Sequence, residues 1–327
     1  MAKSMIALMQ EEISRAKAAV KQGPQVSLLG APTDIGASIR GASMGPEALR
    51  VVGLSEELAS LGCRVEDRGN LSGPVNPVAK PQDGYRHLEE TRAWCAAVRD
   101  GVYGILQDGR LPILLGGDHC LAMGSLAGVS NYCQENQREL SVIWLDAHAD
   151  FNTPDTSPSG NLHGMPVAVA FGLGHPSLTA LARQSPMVKA ENFTQIGIRS
   201  VDVIEKRLVG ASGIKVYDMR RVDELGMRQV MAETLDKVAR TGGHLHVSFD
   251  VDFLDPAIAP GVATTVPGGP NYREAQLCME MIHDSGLMNS LDIMELNPAY
   301  DFQNQTGKLA VSLVKSLFGE QILISNP

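Results

Sequence analysis

The stretch Ser141-Val142-Ile143-Trp144-Leu145-Asp146-Ala147-His148-Ala149-Asp150 decides the architecture. Its opening run, Val142 to Leu145, is apolar without alternation, so it reads as a strand buried on both faces, the kind found in parallel sheets. At Asp146 the apolar run stops. A strand has a period of two, so Asp146, His148 and Asp150 start on one side. A buried strand that runs straight into ligating groups puts chemistry at its carboxyl end.

Comparable runs lie on either side of it. They are QVSLLGAP near 25–32, CRVEDRG near 63–69, LPILLGG near 111–117, FTQIGIR near 193–199, IKVYDM near 214–219, HLHVSFDVD near 244–252 and SLDIMELNP near 290–298. Helix-length segments separate them, among them GPEALRVVGLSEELAS at 45–60 and the stretch from Tyr85 to Gln107. Strands alternating with helices predict an α/β chain: a three-layer α/β/α fold around a mostly parallel eight-stranded sheet. No repeat or low-complexity linker divides it, so residues 1–327 are expected to form a single domain. Polar, glycine-bearing and proline-bearing sequence gathers at 147–163 and 252–271, directly after strand ends, where ligands bind in open α/β sheets.

Composition narrows the partners. The chain has 327 residues, 44% of them hydrophobic, and a formal net charge of −9. With an isoelectric point near 5.4 it carries no field that would gather nucleic acid or anionic lipid. A small cationic substrate fits this charge better than an anionic polymer, although ordinary solubility is the better explanation of it. Five cysteines, Cys63, Cys95, Cys120, Cys133 and Cys278, show no Cys-x-x-Cys spacing and read as reduced, buried thiols of a cytoplasmic protein. The segment MAKSMIALMQEEISRAKAAVKQG is expected to be an amphipathic helix rather than a signal peptide, because charges interrupt its apolar positions. No stretch approaches the roughly 20 apolar residues of a membrane span.

Two further stretches share the character of the first: Leu114-Leu115-Gly116-Gly117-Asp118-His119 and Ser248-Phe249-Asp250-Val251-Asp252. Any one of these aspartates alone reads as a turn residue or helix cap. Four carboxylates at neighbouring strand ends are another matter. They keep their charges only if cations intervene. Two divalent ions would balance Asp146, Asp150, Asp250 and Asp252, with His119 and His148 completing the coordination. Carboxylate and imidazole without thiolate suit Mn²⁺. Cys120, next to His119, reads as packing.

With GGDH at 116–119, DAHADFNTP at 146–154 and SFDVDFLDP at 248–256 go Gly30-Ala31-Pro32, Arg40-Gly41 and Gly45-Pro46-Glu47. On these residues, from the strand at Val26 to the last strand, the chain resembles the arginases, ureohydrolases with a binuclear manganese centre. The resemblance implies Mn²⁺-dependent hydrolysis of L-arginine to L-ornithine and urea by a hydroxide bridging two Mn²⁺ per subunit. It implies one metal on His119, Asp146, Asp150 and Asp250 and the other on Asp146, His148, Asp250 and Asp252, so that Asp146 and Asp250 bridge. It also implies a homo-oligomer, trimer or hexamer.

The resemblance assigns substrate residues as well. Asn152, Ser159 and Asn161 match the positions that hold the α-carboxylate, and Asp202 and Glu205 those that meet the α-amino group directly or through water. Without the resemblance, Asp202 and Glu205 read as the acidic first turn of a helix. His163 matches a proton-carrying histidine, as shuttle or direct acid. Glu295 matches the acid that pairs with the guanidinium, Thr264 a threonine that orders the hydroxide, with Thr265 adjacent, and Asp252 also passes a proton. His87, His175, His244, His246 and His283 receive no role. Ala149 and Met165 depart from better-known arginases at positions that bind neither metal nor substrate. The rival expectations are hydrolysis of another guanidino compound, such as agmatine or a guanidino acid, and a catalytically silent metal-binding paralogue.

Overall fold

The computed structural model describes residues 23–323. The amphipathic helix expected at the amino terminus falls on residues outside that range. The strands are β1 (Gln25–Gly30), β2 (Arg64–Asn70), β3 (Leu111–Leu115), β4 (Leu140–Leu145), β5 (Phe193–Ile198), β6 (Lys215–Asp218), β7 (His244–Asp250) and β8 (Met288–Met294). They form one eight-stranded sheet in the order β2-β1-β3-β8-β7-β4-β5-β6. Every pairing is parallel, so the expected mostly parallel sheet is wholly so.

Alternate side chains of each central strand serve two different cores. Ile143 and Leu145 of β4, with Leu245, Val247 and Phe249 of β7, pack on one face. Against them lie helices α1 (Gly45–Val51), α2 (Leu54–Ser60) and, further along the chain, Met227–Thr241, Tyr272–Ser285 and Gln305–Leu317. Val142 and Trp144 point the other way, toward α3 (Leu88–Gln107) and α4 (Ala122–Glu135). These are the three expected layers. Each fully buried Leu, Ile or Phe contributes roughly 1.5–3 kcal/mol, which is why both-face burial calls for unbroken apolar strands.

Helix boundaries depart from the sequence reading in two places. The 45–60 segment is two helices, because Gly53 adopts a left-handed φ of 83° between α1 and α2. The segment expected from Tyr85 becomes helical only at Leu88, since His87 sits at φ 55° and cannot continue a helix backward. Among the described residues no helix is long and apolar enough to cross a membrane.

The site follows from strand order. β3, β8, β7 and β4 are contiguous at the centre of the sheet, and their carboxyl ends open on one side. After β3 the backbone turns through Gly116-Gly117, where a Cβ on Gly117 would lie 1.7 Å from the Thr33 carbonyl oxygen. The Gly117 carbonyl also accepts from the Glu295 N–H just past β8 at 2.9 Å. Only glycine permits that approach, and it draws His119 and Glu295 together.

Candidate metal centre

His119 is the innermost group. Its Nδ1 lies 2.9 Å from Asp250 Oδ2, 3.1 Å from Asp146 Oδ2 and 3.3 Å from Asp150 Oδ2. Yet this buried nitrogen is in hydrogen-bond geometry with none of them. The other ring nitrogen, Nε2, is 2.9 Å from Ser248 Oγ. With Nε2–H donating to Ser248, Nδ1 keeps its lone pair for a metal, the arrangement that orients a histidine ligand. The ring stacks on Trp144 at 4.1 Å between centroids, and the indole N–H donates to Asp146 Oδ2 at 2.8 Å. Ser248 and Trp144 each stand two residues before an aspartate of the cluster, on the same strand face, so period two alone pointed at them. The sequence reading passed them over because neither carries charge.

The outer part is more open. The His148 side chain is 27% exposed, with Nδ1 3.0 Å from Asp252 Oδ2 and 3.6 Å from Asp146 Oδ1. Asp252 is held from behind: Ala147 N–H donates to Oδ1 at 3.1 Å and the Thr264 hydroxyl to Oδ2 at 3.1 Å. Thr264, not its neighbour Thr265, meets the carboxylate. Among the described residues, two groups of side chains could each hold a metal ion: His119, Asp146 and Asp250, and Asp146, His148 and Asp252. Asp146 is common to both. Asp150 joins the first through His119, and Asp250 faces the second through the Asp252 N–H, which donates to its Oδ1 at 2.7 Å.

Electrostatics favour cations here. Burial, and after it repulsion by Asp146, push the Asp150 carboxyl well up; burial, then Asp252 and Asp146, do the same to Asp250. Burial alone would lower the His119 imidazole, but Asp146, with Asp150 and Glu295, holds it at about 9. Protons are thus drawn into the cluster to offset its negative charge, and divalent ions would displace them. The orphaned Nδ1, the crowded carboxylates and the lack of thiolate together fit hard or borderline divalent metals such as Mn²⁺.

Above the metal groups, Glu295 and Asp150 hold left-handed backbone angles, φ 64° and 50°, rare for residues with a side chain and typical of sites where geometry is imposed. Glu295 Oε1 accepts from the His119 N–H at 2.8 Å and from His163 Nδ1 at 3.0 Å, while Oε2 is buried with no partner. Burial would raise the Glu295 carboxyl, but the hydrogen bond and charge of His163 keep it below the ordinary range. The carboxylate therefore stays ionised, with one free oxygen.

These groups form the floor of a cavity of about 170 Å³ whose rim includes Asn152, Ser159, Asn161, Asp202 and Glu205. Asn152 Nδ2 donates to Asp202 Oδ2 at 3.0 Å, and Asn161 Oδ1 accepts from Arg86 Nε at 2.9 Å and Ser38 Oγ at 2.8 Å. Glu205 lies deeper than Asp202. It is buried, and its two oxygens accept the Phe151 N–H at 2.8 Å and the Asp202 N–H at 3.0 Å, which ties the loop after β4 to the loop after β5. Ser157, Pro158, Gly164 and Ser200 also line the cavity, with no sequence signal beyond lying in the expected loops. His244, His246, His87, His175 and His283 stand outside it.

Known proteins resemble this chain in sequence and fold. The Arginase family profile matches residues 24–319. The arginase of Bacillus subtilis is 44% identical over 299 residues, covering 91% of this chain and 99% of its own. The solved arginase of Bacillus caldovelox superposes with a TM-score of 0.87 at 42% identity, covering 92% of this chain and all of that one. The Entamoeba histolytica arginase, solved with L-ornithine, gives 0.85 at 31% identity over 92% of this chain and all of that one. The chain belongs to the arginase family.

Proposed function

We propose that this chain hydrolyses L-arginine to L-ornithine and urea with two Mn²⁺ per subunit. The observation that carries the reading is that one small cavity joins an unpartnered Glu295 oxygen and a metal-ligating floor to a rim of amide, hydroxyl and carboxylate groups. Drug-sized ligands occupy roughly 300–1,000 Å³, so a smaller space suits an amino acid. A guanidinium at one end and a zwitterion at the other complement those two ends.

His119, Asp146, Asp150 and Asp250 would hold one ion, and Asp146, His148, Asp250 and Asp252 the other. When bound, the metals supply an acidified water near neutral pH and positive charge against the tetrahedral centre. The chain's own residues do the rest. Glu295 Oε2 accepts from the guanidinium and turns its carbon toward the floor. Asp202 meets the α-ammonium, and Asn152, Ser159 and Asn161 donate to the α-carboxylate. As the carbon–oxygen bond forms, Asp252 takes the proton from the attacking oxygen, with Thr264 fixing its carboxylate. Asp252 passes that proton to the departing nitrogen, and cleavage of the carbon–nitrogen bond leaves its electron pair on that nitrogen. His163 has Nδ1 tied to Glu295, so Nε2 is the nitrogen that carries a proton to that amine or to bulk water.

The family relationship supports hydrolysis of a guanidino group, and the acidic and amide rim favours a substrate with an α-amino acid head over agmatine. A trimer or hexamer in the cytoplasm completes the reading; a light-scattering mass of one 35.0 kDa subunit would remove the oligomer. The test of the reaction is urea release from L-arginine before and after chelation and after return of Mn²⁺. Activity lost and restored supports it, whereas full turnover in a metal-free sample excludes it.

A further inference from the structure

Arg199 makes no ion pair among the described residues, although Asp252, Asp146, Asp255 and Asp250 lie close enough to favour its charge. The residue sits just past β5, half-buried, and its guanidinium donates to backbone carbonyls. Nε and Nη2 donate to Val266 O at 3.0 and 2.8 Å, Nη1 to Phe253 O at 3.0 Å and Gly197 O at 3.3 Å, and Nη2 also to Asp252 O at 2.8 Å and Leu254 O at 3.1 Å. Its backbone N–H donates to Ala147 O at 2.8 Å. Apart from Gly197 on β5, these acceptors belong to three separate loops. Ala147 lies between Asp146 and His148, Asp252 begins the turn after β7, and Val266 follows Thr264. Burying a guanidinium without a direct ion pair is costly, and burial holds it below its ordinary basicity against the opposing charge of Asp252 and Asp146. Only a planar fork of five N–H donors can span so many carbonyls; an ammonium cannot.

The geometry points to Arg199 as a positioning residue that aims Asp252 and Thr264 at the metal on the His148 side, a role that rests on the two-metal reading above. The His119 side does not depend on it. His119 is set by Ser248 and Trp144 on neighbouring strands, and Asp250 by the end of β7. Loss of Arg199 therefore weakens one metal site selectively, whereas a residue that only stabilised the fold would weaken both together.

The test is a Mn²⁺ titration of chelated protein, followed by calorimetry and by the electron paramagnetic resonance signal of coupled manganese pairs, in wild type, Arg199→Met and Arg199→Lys. Arg199→Met should bind one Mn²⁺ with wild-type affinity and the second at least about tenfold more weakly, the scale of losing a ligand-orienting partner. The coupled-pair signal should fall with it. Arg199→Lys, keeping the stem and charge, should lie between. Equal affinities for both ions in Arg199→Met, or parallel weakening of both, overturns the proposal. If Arg199→Met does not fold, the same comparison in Arg199→Lys decides. Because the readout is metal binding, a wild type that bound two Mn²⁺ but ignored L-arginine would break the functional reading and leave this one intact.

Discussion

The floor of the cavity and its rim are built differently. The floor is strand-built: His119, Asp146, Asp250 and Glu295 follow contiguous parallel strands, and their side chains are 0–3% exposed. The rim is loop-built: Ser159 and Asp202 are exposed, and Asn152 and Asn161 are aimed by hydrogen bonds from other loops. Groups packed against a sheet cannot yield without disturbing the core, whereas loop groups move at small cost. Chemistry that every guanidino hydrolysis shares belongs on the floor, and selection among substrates belongs on the rim.

The sharpest break of this contrast is Asp250→Asn. Since Asp250 is proposed to bridge, both metals should bind more weakly and kcat/KM should fall by more than about 10³-fold, the scale of losing a metal-activated nucleophile. Metal content measured by elemental analysis alongside turnover checks it. Undiminished values for both would exclude a bridging Asp250.

Next in size is His163→Ala. With the metals retained, kcat should drop by about 10- to 10⁴-fold, the range of a lost acid–base group, and imidazole in the buffer should recover part of it. A variant that instead shed its metals would move His163 from proton carrier to scaffold.

Legibility in the sequence follows the same division. Floor residues could be read because a doubly buried strand ends abruptly at His or Asp, and period two then assigns a side. That reasoning picked out His119, Asp146, His148, Asp150, Asp250 and Asp252, which the structure brings together. It did not find Ser248 or Trp144, although both obey the same period, because uncharged residues raise no alarm. Arg199 and Arg86 were beyond reach for another reason: Asp252 lies 53 positions from Arg199 and Asn161 75 from Arg86, so only the folded loops bring them together. The break at Gly53 and the late helix start after His87 reflect backbone angles that apolar periodicity does not encode.

Rim substitutions should behave unlike floor ones. Asp202→Ala should raise KM with little change in kcat and narrow the preference for L-arginine over agmatine, because the lost contact serves binding rather than chemistry. Steady-state kinetics on both substrates test this. A collapse of kcat at unchanged KM would place Asp202 in the chemistry and erase the contrast.

The smallest effect separates floor from rim by stability. In metal-free protein, Asp150 and Asp250 are pushed up by burial and then by like charge, so the folded state holds protons that the unfolded chain gives up above its ordinary carboxylate range. His119, despite burial, is raised to about 9, so its contribution is full below about 6.5 and fades as pH climbs toward 9. Both trends have one sign: stability of the chelated protein falls from pH 6.5 to pH 9. Mn²⁺ should flatten that slope, since the ions replace the protons. Melting curves at the two pH values, with chelator and with Mn²⁺, should show a larger drop in Tm under chelation, and equal drops would deny the floor its role as a metal site.

The most direct measurement of the central claim is a substrate panel, L-arginine, agmatine and guanidinobutyrate, given to Mn²⁺-loaded protein with urea as the readout. L-Arginine should lead by at least about 100-fold in kcat/KM, a ratio in keeping with leaving rim groups built for a carboxylate and an ammonium unpaired. Preference for agmatine would contradict the account of the rim, and absence of urea from every member of the panel would contradict the account of the floor.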